Sequence, residues 1–281
     1  MAASIHPTAI VDPTAQLAEG VRVGPHAIIL AETALGEGCQ VHAGAIVGPY
    51  TALGRGCVIH PYAVIGGEAQ DLKVNPADKP RLRVGDDCVF REHVTISRGT
   101  GPDGLTSIGS RCYFMAGSHI GHDCHIGDEV IMANGAAAAG HVEIGSKTFL
   151  SSHVVIHQFC WVGEMVMTRG NSAASQHLPP YTMLKGPNEI MGLNVIGMRR
   201  AGFSPADRSQ VKQAYQMFFR SGLAGTAALA EMDKQADWGA PAVKFREFIR
   251  RALAAKKPFN RGIPIERSVR LHSQGDGDEA Q

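Results

Sequence analysis

The chain has 281 residues, of which 44% are hydrophobic, and the absence of any run of about 18 apolar residues excludes a membrane-spanning helix. The first residues carry neither a basic start nor an apolar run, so we predict a cytoplasmic protein whose six cysteines form no disulfide framework. The net charge of +1 hides a basic segment over residues 198–270, which holds 15 Lys and Arg against 6 Asp and Glu and suits an acidic macromolecular partner.

A six-residue period explains why only 6% of residues are aromatic while glycine occurs 33 times. Every sixth residue from the first coil onward is a branched aliphatic, namely Ile5, Val11, Leu17, Val23, Ile29, Leu35, Val41, Val47, Leu53, Ile59 and Ile65. The same phase resumes after residue 83 and continues to residue 162. Because this period matches neither an α-helix nor a simple strand, it predicts triangular coils of three short strands, about 18 residues per coil, with the aliphatic side chains pointing inward.

The cysteines share one position in this period, two residues before the inward aliphatic: Cys39, Cys57, Cys88, Cys112, Cys124 and Cys160. Alanine occupies many of the equivalent positions in other coils. The cysteines are therefore predicted to be small core residues, which disfavours disulfide and zinc roles for them.

The period is interrupted twice, over Gly66–Arg83 and over Ser97–Ser107, so we predict a solenoid domain over residues 1–186 with two loop insertions. Loops that leave a rigid solenoid often carry function. Insertions that are merely tolerated remain the alternative.

Helical patterning replaces the period in the C-terminal part, which predicts an α-helical domain over residues 187–262. Ser204-Pro205, with Asp207 in the first turn, is a typical helix start. Two apolar faces have helical spacing, one of Val211, Ala214, Tyr215 and Phe218 and one of Phe245, Phe248, Ile249 and Ala252. The polar residues 263–281 are predicted to be a disordered tail.

The densest cluster of polar residues runs from Ser118 to His125. With about 18 residues per coil, Gly140 lies above His122, His141 above Asp123, and Gln158 above Gly140. An imidazole, a carboxylate and an unshielded backbone N–H supply a base for a hydroxyl, a group that orients the base and a donor to an oxyanion, which favours acyl transfer. A zinc site built from histidines of neighbouring coils stays open as an alternative, as does a cluster without chemistry.

Seven short motifs occur in one order: Gln70-Asp71-Leu72-Lys73, His122-Asp123-Cys124, Ala139-Gly140-His141-Val142, His157-Gln158-Phe159-Cys160, Pro179-Pro180-Tyr181, Gly192-Leu193-Asn194 and Arg199-Arg200-Ala201-Gly202-Phe203. In this set the chain resembles the UDP-N-acetylglucosamine acyltransferases, hexapeptide-repeat enzymes of the first step of lipid A biosynthesis, to about residue 260. The resemblance implies an all-β solenoid, a left-handed parallel β-helix, followed by a small α-helical domain.

The resemblance implies transfer of an (R)-3-hydroxyacyl chain from acyl carrier protein to the 3-hydroxyl of UDP-N-acetylglucosamine. His122 would be the general base, Asp123 would orient it, and the Gly140 N–H would hold the oxyanion. Contacts to the sugar nucleotide or the acyl-pantetheine arm are implied for Asp71, Lys73, His119, His141, His157, Gln158, Asn194 and Arg200. The region that measures acyl length is implied at Met167, Arg169 and Gly170.

The resemblance also implies a homotrimer with active sites between subunits and no metal or other cofactor, since the acyl donor is carried on the phosphopantetheine of acyl carrier protein. That acidic protein would be the partner of the basic segment. Neither nucleic acid nor stable membrane insertion is expected.

The chain departs from the family pattern at two positions. Ile196 stands where the family often has a glutamate, and Arg169 replaces a smaller residue. Acylation of the 3-amino analogue of the sugar, and a non-catalytic or zinc-dependent hexapeptide protein, also remain alternatives.

Overall fold

The computed structural model describes residues 2–266, which form a left-handed parallel β-helix followed by four α-helices. Most strands have only two residues, because each coil turns after every short strand. The strands are β1 (Ser4–Ile5), β2 (Ile10–Val11), β3 (Gln16–Leu17), β4 (Arg22–Val23), β5 (Ile28–Ile29), β6 (Ala34–Leu35), β7 (Gln40–Val41), β8 (Ile46–Val47), β9 (Thr51–Leu53), β10 (Val58–Ile59), β11 (Val64–Gly67), β12 (Arg81–Val84), β13 (Val89–Phe90), β14 (Thr95–Ser97), β15 (Leu105–Ile108), β16 (Tyr113–Phe114), β17 (His119–Ile120), β18 (His125–Ile126), β19 (Ile131–Met132), β20 (Ala137–Ala138), β21 (Glu143–Ile144), β22 (Phe149–Leu150), β23 (Val155–Ile156), β24 (Trp161–Val162), β25 (Met167–Thr168), β26 (Ala173–Ala174), β27 (Thr182–Lys185) and β28 (Glu189–Leu193).

Every third strand joins the same parallel sheet, which gives the prism three faces. Sheet A runs from β1 through β4 and β7 to β25 and ends in β27 and β28, sheet B runs from β2 to β26, and sheet C runs from β3 to β24. Uninterrupted coils pair residues as Ser4 with Arg22 and His119 with Ala137. This register confirms the triangular coil that the six-residue period predicts.

The inward apolar side chains of the three sheets form one continuous core inside the prism. Ile29, Ile59 and Ile120 have no exposed surface. All six cysteines are buried and unpaired, and the Cys112 thiol donates to the Gly127 carbonyl of the next coil at 3.2 Å. The prediction that they are small core residues is confirmed.

Both interruptions leave the solenoid as loops, and the strands pair again beyond them, with one register shift between Ile65 and Gly67 at the start of the first interruption. The first lies between β11 and β12 and the second between β14 and β15. Across them Val58 still pairs with Val89, and Thr95 pairs with His119.

The C-terminal part begins with an antiparallel hairpin of β27 and β28, which the sequence did not predict. The domain boundary predicted at residues 186 and 187 falls between these strands. The helices are α1 (Val195–Arg200), α2 (Pro205–Phe219), α3 (Gly225–Asp233) and α4 (Ala240–Ala254). Among the residues 2–266, no helix is long and apolar enough to cross a bilayer.

The start of α2 is a capping box, in which the Ser204 hydroxyl accepts from the Asp207 N–H and the Asp207 carboxylate accepts from the Ser204 N–H. Its buried face ends in Phe219, whereas Phe218 is only half-buried. Phe218 nevertheless packs against the same core as predicted, and Phe219, four residues after Tyr215, extends this face by one residue.

Residues 258–266 return along the last coils. The His177 imidazole hydrogen-bonds the Phe259 carbonyl at 2.7 Å, and the buried Glu266 carboxylate binds the Arg220 guanidinium at 2.6 and 2.8 Å. Residues 263–266 of the predicted tail therefore pack against the protein, and the rest of that tail lies outside the described residues.

Candidate active site

The candidate site lies at the corner between sheets B and C, where three successive coils place one polar turn beside the next. The His122-Asp123 turn lies against Gly140-His141, because the His141 N–H donates to the His122 carbonyl at 2.9 Å. The third turn follows, since the Phe159 N–H donates to the Gly140 carbonyl at 3.2 Å. The structure thus brings together the residues that the coil spacing predicted to be neighbours.

Asp123 binds the imidazole of His122. Asp123 Oδ2 lies 2.9 Å from His122 Nδ1. Both side chains are largely buried, with 14% of the Asp123 side chain and 13% of the His122 side chain exposed. Burial alone would raise the pKa of Asp123, but hydrogen bonds from His122 and Thr100 outweigh it and hold that pKa below its usual value. Asp123 is therefore an anion at neutral pH.

The outer nitrogen of His122 faces a glycine. A Cβ placed on Gly140 would lie 2.6 Å from His122 Nε2 and 2.7 Å from Cε1, so only glycine leaves room for the ring. Among the described residues, no hydrogen-bond acceptor faces the Gly140 N–H. A basic nitrogen and a free backbone donor thus share one small space.

His141 packs against the pair from the next coil. Its Nε2 lies 3.8 Å from Asp123 Oδ2, and its ring meets the His122 ring edge-on at 5.0 Å. The Phe159 ring stacks on its other side at 4.7 Å. Burial lowers the pKa of His141 against the opposing charge of Asp123, so His141 is a neutral ring at pH 7.

His119 lies on sheet B rather than at the corner. It points outward from β17, and its Nδ1 lies 2.7 Å from Thr95 Oγ1 on the neighbouring strand. Burial lowers the pKa of His119, which keeps it neutral at pH 7.

Four other predicted contact residues are exposed near the corner or on the first insertion. Asp71 and Lys73 lie on that insertion, where the Asp71 carboxylate accepts from the Lys73 N–H at 2.9 Å. Asp71 is close enough that its charge partly opposes the lowering of the His141 pKa by burial. His157 and Gln158 are exposed in the third turn.

Asn194 has a local structural role. Its Oδ1 accepts from the Gly197 N–H at 2.9 Å at the start of α1, and its Nδ2 donates to the Met165 carbonyl at 3.0 Å. Arg200, at the end of the same helix, is exposed.

The predicted acyl-length residues lie at a different corner. Met167 points outward from sheet A with 42% of its surface exposed. Arg169 and Gly170 follow it in the turn that leads to sheet B. Within one chain they are on the opposite edge of sheet B from His122.

Sequence reasoning missed two threonines that hold Asp123. The Thr100 N–H and hydroxyl donate to its carboxylate, and the buried Thr106 hydroxyl accepts from its N–H at 2.9 Å. Thr100 lies on the second insertion, 23 residues before Asp123, where the coil spacing predicts no contact. Thr106 lies 17 residues before Asp123, close to one coil, so the spacing could have revealed it.

Three side chains could also ligate a cation. Ligand atoms of His122, Asp123 and His141 lie within 4.8 Å of one another. The zinc alternative thus has a definite location, and it competes with the hydrogen bond between His122 and Asp123.

The parallel coils and the polar corner define a hexapeptide-repeat transferase. A family model described as bacterial transferase hexapeptide (six repeats) matches residues 32–67 and 105–140, and one described as UDP N-acetylglucosamine O-acyltransferase, domain 2, matches residues 178–263. The chain belongs to the UDP-N-acetylglucosamine O-acyltransferase family.

Two curated relatives establish this membership. The acyl-[acyl-carrier-protein]–UDP-N-acetylglucosamine O-acyltransferase of Anaeromyxobacter dehalogenans is 43% identical over 83% of this chain and 91% of its own length. The enzyme of the same name from Xanthomonas oryzae pv. oryzae is 41% identical over 89% and 97%.

Solved structures show the same fold. LpxA from Acinetobacter baumannii has a TM-score of 0.86 and 34% identity, covering 92% of this chain and 99% of that one. The UDP-N-acetylglucosamine acyltransferase of Campylobacter jejuni has a TM-score of 0.84 and 33% identity, covering 94% and 100%.

Proposed function

We propose that the protein transfers an (R)-3-hydroxyacyl chain from acyl carrier protein to the 3-hydroxyl of UDP-N-acetylglucosamine, the first step of lipid A biosynthesis. The names of the relatives specify the acyl donor and the sugar nucleotide. The observation that carries the proposal is the His122–Asp123 pair beside the free Gly140 N–H.

In this mechanism, His122 Nε2 removes the proton of the sugar hydroxyl as its oxygen attacks the thioester carbon. The Asp123 carboxylate accepts from Nδ1 and stabilises the imidazolium that forms. The Gly140 N–H donates to the tetrahedral oxyanion. When the C–S bond breaks, the imidazolium returns the proton to the pantetheine sulfur, which leaves an ester and a free thiol without any metal.

The residues around this corner, together with two residues of the C-terminal part, would bind the substrates. The neutral His119 and His141 suit the uncharged acetamido sugar, and the exposed cations suit phosphates. The proposed contacts to the sugar nucleotide or the pantetheine arm are Asp71, Lys73, His119, His141, His157, Gln158, Asn194 and Arg200.

The basic C-terminal segment is proposed to meet acyl carrier protein. Part of its charge is used internally, since Arg251 binds Glu143 at 2.6 Å and Lys244 binds Glu164 at 2.8 Å. Lys256 and Lys257 are exposed and available to an acidic partner. The free cysteines suit the reducing cytoplasm.

We propose that three copies assemble through sheet B. Its outward column is almost wholly apolar, whereas sheet C presents residues such as Arg83 and Glu143 outward. The sheet B column is Ile10, Ile28, Ile46, Val64, Thr95, His119, Ala137, Val155 and Ala173. Seven of these nine side chains are apolar, and Ile10 and Val155 are 63% and 49% exposed, which favours an interface between copies.

This assembly also accounts for the position of the site. His119 lies in the outward column of sheet B, so a neighbouring copy on sheet B would cover the substrate site beside it. The acyl-length residues Met167, Arg169 and Gly170 lie at the other edge of sheet B, where they can approach His122 only as residues of a second copy.

Replacing Ile46 with glutamate is expected to dissociate the trimer, because it buries three carboxylates without partners in the interface. Light scattering after gel filtration would show monomers for Ile46→Glu and trimers for the control Ala52→Glu, whose side chain points outward from sheet C. A trimeric Ile46→Glu protein would contradict an interface on sheet B.

The proposed activity is tested by offering purified protein UDP-N-acetylglucosamine together with a mixture of 3-hydroxyacyl carrier protein thioesters. Mass spectrometry is expected to show UDP-N-acetylglucosamine that carries one O-linked 3-hydroxyacyl chain of the preferred length. The amount of this product is expected to be the same after metals have been removed by chelation. The 3-amino analogue of the sugar nucleotide is offered in a parallel assay, and its faster turnover would favour amide formation. Activity that chelation abolishes would favour the zinc site.

A further inference from the structure

The second insertion is a tight loop whose two ends both hydrogen-bond the backbone of Arg81. The Arg81 N–H donates to the Gly104 carbonyl at 2.9 Å, and the Gly99 N–H donates to the Arg81 carbonyl at 3.3 Å. A Cβ on Gly99 would overlap the Gly104 backbone, and one on Gly104 would overlap the Thr100 carbonyl. Glycine at both positions therefore lets the loop close and fixes where Thr100 lies.

Thr100 donates two hydrogen bonds to the carboxylate of Asp123. Its N–H donates to Oδ1 at 3.1 Å and its hydroxyl donates to Oδ2 at 2.6 Å. The same Oδ2 accepts from His122 Nδ1 at 2.9 Å. Because the Thr106 hydroxyl holds the Asp123 N–H, both the backbone and the carboxylate of Asp123 are fixed.

We propose that Thr100 is a positioning residue for the acyl transfer, and that the second insertion exists to deliver it; this rests on the proposed function. Thr100 touches no reacting atom. It sets the plane of the Asp123 carboxylate and stabilises its charged form, and the carboxylate in turn fixes the ring and tautomer of His122.

Thr100→Val keeps the shape of the side chain and removes its hydroxyl. It is expected to lower kcat about 10- to 100-fold, the effect of losing one hydrogen bond to a charged group, with KM for both substrates within about twofold. Thr100→Ser restores the hydroxyl and is expected to restore kcat to within about threefold of the wild type.

A double-mutant cycle shows whether Thr100 acts through Asp123. In an Asp123→Ala background, Thr100→Val is expected to change kcat by less than about twofold, because the group that Thr100 positions is already absent. Losses that multiply in the double variant would overturn the proposal.

An activity-independent readout is the pKa of Asp123, followed by 13C NMR of its carboxyl carbon in the full chain. The pKa is expected to rise in Thr100→Val, because the charged form loses a donor, and to stay at the wild-type value in Thr100→Ser. An unchanged pKa in Thr100→Val would overturn the positioning role even if the protein transferred no acyl group. If the pKa of Asp123 shifts in Thr100→Val but the wild-type protein transfers no acyl group, only the proposed function would be contradicted.

Should Thr100→Val fail to fold, Thr100→Ala replaces it in all three measurements, since the smaller side chain introduces no clash. If neither variant folds, Thr100 has a structural role and the proposal is wrong.

Discussion

Replacing His122 with alanine is expected to lower kcat by about 10²–10⁴-fold, the usual contribution of a general base. Among residues 2–266, His122 is the only histidine with one ring nitrogen bound by Asp123 and the other packed against the Cα of Gly140. KM for both substrates is expected to change by less than about threefold, because the ring acts mainly in the transition state.

The matched control is His42→Ala. His42 stacks on His60 at 5.1 Å in coils near the N-terminus, away from the site. The test compares the steady-state kinetics of the two variants, and light scattering checks that both keep the assembly of the wild type. A His122→Ala protein within about tenfold of wild-type activity would remove His122 from the role of base.

Replacing Gly140 with alanine is expected to lower kcat/KM by about 10²-fold without unfolding the coil. The new Cβ would lie 2.6 Å from His122 Nε2, and the ring cannot move away without breaking its 2.9 Å bond to Asp123. The methyl group would also narrow the space in which the oxyanion meets the Gly140 N–H. Both effects act on the transition state.

Gly67→Ala provides the comparison, because a Cβ there meets only ordinary contacts, 3.5 Å from a Val64 methyl and 3.9 Å from the Ile96 carbonyl. The kinetics of the two variants, with their melting temperatures, separate a local effect from a loss of stability. If Gly140→Ala were as active as Gly67→Ala, the crowding at the corner would have no bearing on catalysis.

The solenoid could be predicted from the sequence because each coil repeats one local rule. The inward position of Ile29 or Cys112 depends only on its phase in the six-residue period, and the same phase places Gly140 beside His122. A parallel coil converts a fixed spacing along the chain into a fixed contact in space.

Where the chain leaves that period, the rule gives no contacts. Thr100 reaches Asp123 only through the folded second insertion, and Phe259 reaches His177 only because residues 258–266 return along the coils. The hairpin of β27 and β28 likewise depends on antiparallel pairing that no hexad encodes. Contacts of this kind are set by tertiary packing, which spacing along one sequence does not reveal.

The central claim, that His122 is the base of the acyl transfer, is tested most directly by the pH dependence of kcat/KM. At pH 7 Asp123 is charged and His141 is neutral, and because the pKa of each is lowered, both groups titrate only in more acid solution. The comparison with His122→Ala, rather than the position of the acid limb, therefore identifies the base. Wild-type activity is predicted to fall tenfold per pH unit on the acid side, where the base gains its proton, and His122→Ala is predicted to lose this limb and to rise with hydroxide throughout. A His122→Ala profile that keeps the acid limb of the wild type would assign the base to another residue and contradict the mechanism.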